Sequence, residues 1–254
     1  MRSLPLLALL LAPFARAAGR PTEVAVLGTI HGGHLGSKGY SVRTVIDTVR
    51  AYRPDVVFVE IPPDLFEPVV RRVDRTGFRT RRKDLEDRPW IKAFPEIYRG
   101  ILPLRKEMGY TVVPVSGWRP EVSGDRREFW NGPGREPRMV ERRRIYDAVR
   151  SALHEIHERE RSTENPAFVN SRHYADLWHL ERTLWSVCFD EGLGRGGEVA
   201  INRAHWSNIA RALDRYRGQR ILIVYGAAHR YWFLRELRQR TDVRLVDVRG
   251  FLPR

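Results

Sequence analysis

The sequence predicts an α/β fold in which a central, mostly parallel sheet is flanked by helices, with a helical insertion between two βα halves. Three observations carry this. Short runs rich in Val, Ile and Leu recur near both ends of the chain, at 22–27, 55–60, 111–115, 220–225 and 243–248. Their apolar residues follow in succession instead of alternating, as strands covered on both faces require. Helical spacing separates the runs, and three long helical stretches fill the middle of the chain.

Taken in order, Thr22 to Leu27 is a strand that stops at Gly28. Ser41 to Tyr52 has helical spacing at Val42, Val45, Ile46 and Val49, with Ser41 as the N-cap. Asp55 to Glu60 is a second strand, ended by Ile61-Pro62-Pro63. Strand, helix, strand implies a parallel pair joined by a right-handed crossover. A helix is expected over Asp64 to Arg75. From Arg88 to Met108 the pattern is helical in parts, interrupted by Pro89, Pro95 and Pro103. Thr111 to Val115 is a third strand. Ser116 to Pro137, rich in Gly, Pro and charge, is expected to be a long surface loop. Helices follow over Arg138 to Arg161, Ser171 to Phe189 and Val199 to Tyr216. The chain closes with a strand at Arg220 to Tyr225, a helix at His229 to Arg240 and a strand at Val243 to Val248.

Residues 1–17 have the plan of a cleaved signal peptide: Arg2, an apolar run from Leu4 to Phe14, and Ala15-Arg16-Ala17 as a cleavage site. Residues 18–254 are then one α/β domain of a secreted or periplasmic protein. No later stretch reaches the roughly 20 apolar residues of a membrane helix, so no membrane span is expected. The single cysteine, Cys188, excludes an intramolecular disulfide and reads as a buried apolar residue. Losing Arg2 and Arg16 with the leader lowers the formal net charge from +14 to +12. That charge is spread along the chain and interleaved with acids, so no specific nucleic-acid partner is expected.

In open α/β sheets ligands bind outside the carboxyl ends of the strands. Three polar residues fall there: His31 in Gly28-Thr29-Ile30-His31, Glu60 at the end of the second run, and His229 in Gly226-Ala227-Ala228-His229. If the strands are neighbours, two imidazoles and a carboxylate meet in one crevice. Such a set can bind a divalent metal (Mn, Co, Zn or Fe) with positions left for water and substrate, or act without metal as a base and an orienting acid. Gly28 and Gly226 let the chain turn off its strand close to a ligand. His34 is a possible further ligand or substrate contact, and Arg230 a possible anion contact, though a solvated arginine is the simpler reading.

Several motifs lead nowhere. Gly32 to Lys38 lacks the Gly-Lys-Ser/Thr of a phosphate loop, and the GxGxxG at 192–197 follows a helix instead of a strand. His154 and His157 lie among charges on a helix face. His173, His179 and His205 read as aromatic helix packing. No Gly-x-Ser-x-Gly elbow is present.

The segments VAVLGTIHGGHL (24–35), DVVFVE (55–60) and RILIVYGAAHRYWFLREL (220–237) resemble the TraB/PrgY/GumN group. That group shares a superfamily with the TIKI metalloproteases, the erythromycin esterases and the ChaN-like proteins. The resemblance covers both ends of the chain and implies an α/β fold with its motifs lining one cleft. His31, Glu60 and His229 match the group's functional residues. In that group an Arg-Asn pair usually opens the helix before the last GxxH strand. Here Ile201-Asn202-Arg203 takes that place, with Asn202 corresponding and the arginine displaced to Arg203 or lost. The resemblance implies a metal-dependent, peptidase-like or esterase-like hydrolase acting on a peptide or small molecule. The other implied function is a non-catalytic binder of haem, a metal or a small ligand.

Overall fold

The computed structural model describes residues 21–76 and 93–253. The signal-peptide reading of residues 1–17 and the start of the 88–108 segment lie outside the described residues. Among the described residues five strands, β1 (Thr22–Thr29), β2 (Val56–Val59), β3 (Thr111–Pro114), β4 (Arg220–Gly226) and β5 (Val243–Val246), form one sheet. All pairings are parallel, in the order β3-β2-β4-β1-β5.

The unbroken apolar runs have a direct cause. Alternate strand residues point to opposite faces, and both faces are covered. Ala25, Leu27, Val57, Val59, Leu222 and Val224 pack on one side with Val45, Val49 and Tyr52 of α1 (Val42–Tyr52). Ile97 and Ile101 of a π-helical turn (Glu96–Ile101), and Leu102 and Leu104 of α3 (Leu102–Met108), which follows it, pack there too. α2 (Pro63–Thr76) follows β2. On the other side Val24, Val26, Val56, Phe58, Ile221 and Ile223 pack against α8 (Glu198–Arg215) and α9 (Ala227–Arg238), through Ile209, Leu213, Phe233 and Leu237.

Local signals hold where they were strong. Ser41 caps α1, its hydroxyl accepting from the Thr44 N–H. The expected loop at 116–137 is instead largely helical, as α4 (Pro120–Asn131). Pro120 suits the first helical turn, and Val122 and Phe129, seven residues apart, are buried on one face. The Gly and charge content masked that spacing. Phe129 joins Tyr146, Phe189 and Leu193 in a separate small core with Cys188, which is buried there as expected. This core ties α4 to α5 (Pro137–Arg159) and α7 (Arg172–Leu193), the helical insertion, where the short α6 (Pro166–Val169) precedes α7. Among the described residues no helix is long and apolar enough to cross a membrane.

The loop after the first Gly-x-x-His is tied down from the insertion. The Glu164 carboxylate accepts from the Gly39 N–H at 2.6 Å, the Lys38 N–H at 2.9 Å and the Ser37 hydroxyl at 3.1 Å. These donors, Gly39 first, hold its pKa below the ordinary glutamate value. A depressed carboxylate stabilises the fold above its unfolded pKa, and that contribution is lost as pH falls through the folded value. Amide protection at Lys38 and Gly39, measured against the intrinsic exchange rate at each pH, is therefore expected to fall on acidification below about pH 4.5. Glu164→Ala, which removes the acceptor, should show the lower protection already at neutral pH; identical protection in both proteins would contradict the anchoring.

Candidate active site

The sheet order brings the three strand ends together. Register pairs Thr29 with Gly226 and Val59 with Val224, so β4 lies between β1 and β2 with their carboxyl ends level. His31, Glu60 and His229 leave these ends within a few residues, and all three are half-buried.

His31 lies beyond β1 with a backbone φ of 49°. A non-glycine residue rarely adopts this left-handed conformation, which costs of order 1–3 kcal/mol and clusters at functional sites. Side-chain anchors hold it. Its Nδ1 is 2.9 Å from Oε1 of Glu96, which also accepts from the Thr29 hydroxyl at 3.0 Å. Its Nε2 is 3.5 Å from Oε2 of Glu60. The edge of its ring meets Phe94, with centroids 4.6 Å apart. Glu60 Oε2 accepts from the Gly226 N–H at 2.8 Å. A Cβ at Gly226 would collide with His31 Nε2. This second motif thus needs glycine so that the first motif's histidine can reach the carboxylate.

His229 stands in the first turn of α9, and its Nδ1 is 2.8 Å from Oδ1 of Asn202. The Asn202 amide nitrogen donates to the Glu198 carbonyl at 3.1 Å and to Glu198 Oε1 at 2.6 Å. Oδ1 is therefore the acceptor, Nδ1 of His229 carries the hydrogen, and its Nε2 carries a free lone pair.

His205, one turn beyond Asn202 on α8, meets His229 edge to face at 4.9 Å. Its Nδ1 accepts from the Gly117 N–H at 2.8 Å and is 2.6 Å from the Tyr225 hydroxyl. A nitrogen that accepts from a backbone N–H cannot carry a proton, so the hydrogen is on Nε2. That Nε2 is buried without a hydrogen-bond partner among the described residues.

Charge follows from these contacts. Burial acts against protonating His31, but Glu60 and then Glu96 outweigh it and push the pKa up to about 9. Burial raises Glu60 against the pull of His31 and the Gly226 N–H. Burial holds His205 down at about 3. Burial, with His205, Arg182 and His31 adding to it, holds His229 well below the ordinary imidazole value. At neutral pH the site has one charged imidazole and two neutral ones.

Glu60, His205 and His229 could hold a metal ion: one ligand atom from each lies within 4.8 Å of the others. His31, expected in the set with Glu60 and His229, stands outside this group, its Nδ1 on Glu96 and its Nε2 facing Glu60. The fit is clear at His229, whose Nε2 lone pair is free, and at Glu60. His205 fits only if its Nδ1 takes the hydrogen and gives it to Tyr225, which leaves the Gly117 N–H without its acceptor.

Three further expectations change. His34 is no ligand: it is buried, with Nδ1 donating to the Tyr40 carbonyl at 2.6 Å and Nε2 accepting from the Ile30 N–H at 3.2 Å. Arg230 is neither an anion contact nor solvated. It is buried and bonds the Val26 carbonyl at 3.3 Å and the Ser171 carbonyl at 3.0 Å. Arg203 is exposed, while Asn202 is fully buried on His229. Arg182 of α7, 3.6 Å from Glu198, supplies a cation behind Asn202 instead. Reading His205 as helix packing missed its place in the site; His179, stacked on Tyr231 at 5.0 Å, does pack in that way. Glu96 was missed altogether. Its one signal is an acid within Phe94-Pro95-Glu96-Ile97-Tyr98, an otherwise apolar stretch.

Glu60 and His229 open into a cavity of about 390 Å³ bordered also by Ile61, Leu65, Phe94 and Trp118. No family model matches the chain, and no curated protein or solved structure matches it significantly.

Proposed function

We propose that the chain is a hydrolase of ester or amide bonds, metal-dependent, with His229 and Glu60 as the principal metal ligands. The observation that carries this reading is the meeting of His31, Glu60, His205 and His229 at three adjoining strand ends, each nitrogen in a different hydrogen-bonding state. The GxxH–Glu–GxxH resemblance to the TraB/PrgY/GumN group points the same way.

A divalent ion such as Mn, Co, Zn or Fe, when bound, would polarise the substrate carbonyl and lower the pKa of a water toward about 7. The chain's own groups divide the remaining work. His229 presents its lone pair because Asn202 fixes the tautomer. The His205 Nε2–H, dry and unpartnered, donates to the oxygen on which charge develops, as a preorganised donor in a low-dielectric site does. His31, kept protonated by its two carboxylates, gives its proton to the leaving group.

Asn202→Leu removes the acceptor that holds the His229 tautomer. It is expected to lower kcat/KM by about 10–100-fold. Asn202→Asp, which keeps an acceptor, should recover part of that loss, and equal activities would tell against tautomer control.

The reading itself is tested by assaying peptide and ester substrates with chelator-treated protein restored with each metal. Turnover that returns with one metal supports it; turnover indifferent to chelator and metals overturns the metal dependence. The apolar cavity beside the imidazoles favours one alternative, a binding protein for haem or another small ligand. A haem absorbance band shifted by the protein and lost in His229→Ala, without turnover, would support it.

A further inference from the structure

We infer that this cleft takes a substrate carrying an aromatic or branched aliphatic group next to the bond that is cut, an inference that rests on the hydrolase reading above. The cavity of about 390 Å³ has walls of Ile61, Leu65, Phe94 and Trp118, with the reactive Glu60 and His229 at its edge. This volume falls within the roughly 300–1,000 Å³ typical of ligand sites, where apolar walls surround a few placed polar groups.

The walls are held in position. The Trp118 indole N–H is 3.3 Å from the Ser123 hydroxyl, and the Arg126 guanidinium lies 5.2 Å from the ring centre. Phe94 is fixed against His31. Leu65 is 44% exposed, an apolar side chain left in water beside reactive groups. A ligand group that covers it removes that exposure.

The adjoining groove, about 540 Å³, shares Ser116 and Trp118 with this cavity but is lined by Asp64, Arg119, Glu121 and Arg211. An apolar group there would desolvate charges without pairing them. The apolar group therefore belongs on the Leu65 side, and the polar remainder of the substrate on the other.

Calorimetric titration of the wild-type chain with acetate, hexanoate and 3-phenylpropanoate tests this, since these product-like carboxylates differ only in the tail. Affinity is expected to rise along the series, with 3-phenylpropanoate at least about thirty-fold tighter than acetate. Leu65→Asp, at a half-exposed rim position that the fold tolerates, should reduce that ratio below about three-fold without lowering Tm. Equal affinities for the three acids would overturn the inference, as would a tail preference that survives both Leu65→Asp and Trp118→Ala. The two readings fail separately. Flat affinities in a chain that hydrolyses sink the apolar subsite alone, whereas tail-dependent binding in a chain with no turnover sinks the hydrolase reading.

Discussion

Replacing His229 by alanine is expected to remove bound metal and to lower kcat/KM by at least about 10³-fold while leaving the fold in place. Among the described residues of the site the ring supplies the one free imidazole lone pair, since His205 presents an N–H and both His31 nitrogens face carboxylates. No neighbour takes over that role. His205 would need the other tautomer, which forfeits the Gly117 N–H bond and leaves a donor unsatisfied at a cost of about 1–3 kcal/mol. The structural cost of His229→Ala is smaller. Asn202 Oδ1 loses its partner, worth about 1–2 kcal/mol, and the sheet beneath is untouched. Far-ultraviolet circular dichroism should match the wild type, with Tm lower by a few degrees. Activity within about ten-fold of wild type would remove His229 from the mechanism.

The second large effect is expected at Glu96. This carboxylate, 1% exposed, is the anchor that holds His31 in its left-handed conformation. Glu96→Ala releases the ring and should cost about 10²-fold in kcat/KM. Glu96→Gln separates geometry from charge, because an amide oxygen can still accept from both Thr29 and His31. Part of the activity should return. The sign of the pH effect follows from the charges: Glu60 and Glu96 both raise His31, to about 9. Removing one negative charge lowers that pKa, so the alkaline fall in kcat/KM should move to lower pH in Glu96→Gln. An alkaline limb that stays in place while activity drops would make Glu96 a structural residue only.

Much of this arrangement was legible in the sequence because the strands are buried on both faces. Val24 to Leu27, Val56 to Val59 and Ile221 to Val224 contain no polar residue, and the sheet uses every side chain in them. Each run's end marked where a polar residue would face the crevice, which found His31, Glu60 and His229. What could not be read was the strand order. The late β4 inserts between β1 and β2, and only that order makes the three ends neighbours. Glu96 and His205 were invisible for a related reason. Glu96 meets His31 across 65 positions and His205 meets Gly117 across 88, so neither leaves a local pattern. His205 also follows helical spacing that suits a packed aromatic equally well, and its role depends on which ring nitrogen a distant backbone N–H occupies. His34 erred in the opposite direction: a glycine-rich loop looked like a ligand loop, but local backbone groups consume both ring nitrogens.

The proposed hydrolytic centre is a metal ion held by His229 and Glu60. Elemental analysis of the purified wild-type chain, beside Glu60→Gln and His229→Ala and with turnover measured on the same samples, tests it most directly. One divalent ion per wild-type chain is expected, absent from both variants together with turnover. Wild-type protein that hydrolyses its substrate without metal, or variants that keep the ion, would contradict it.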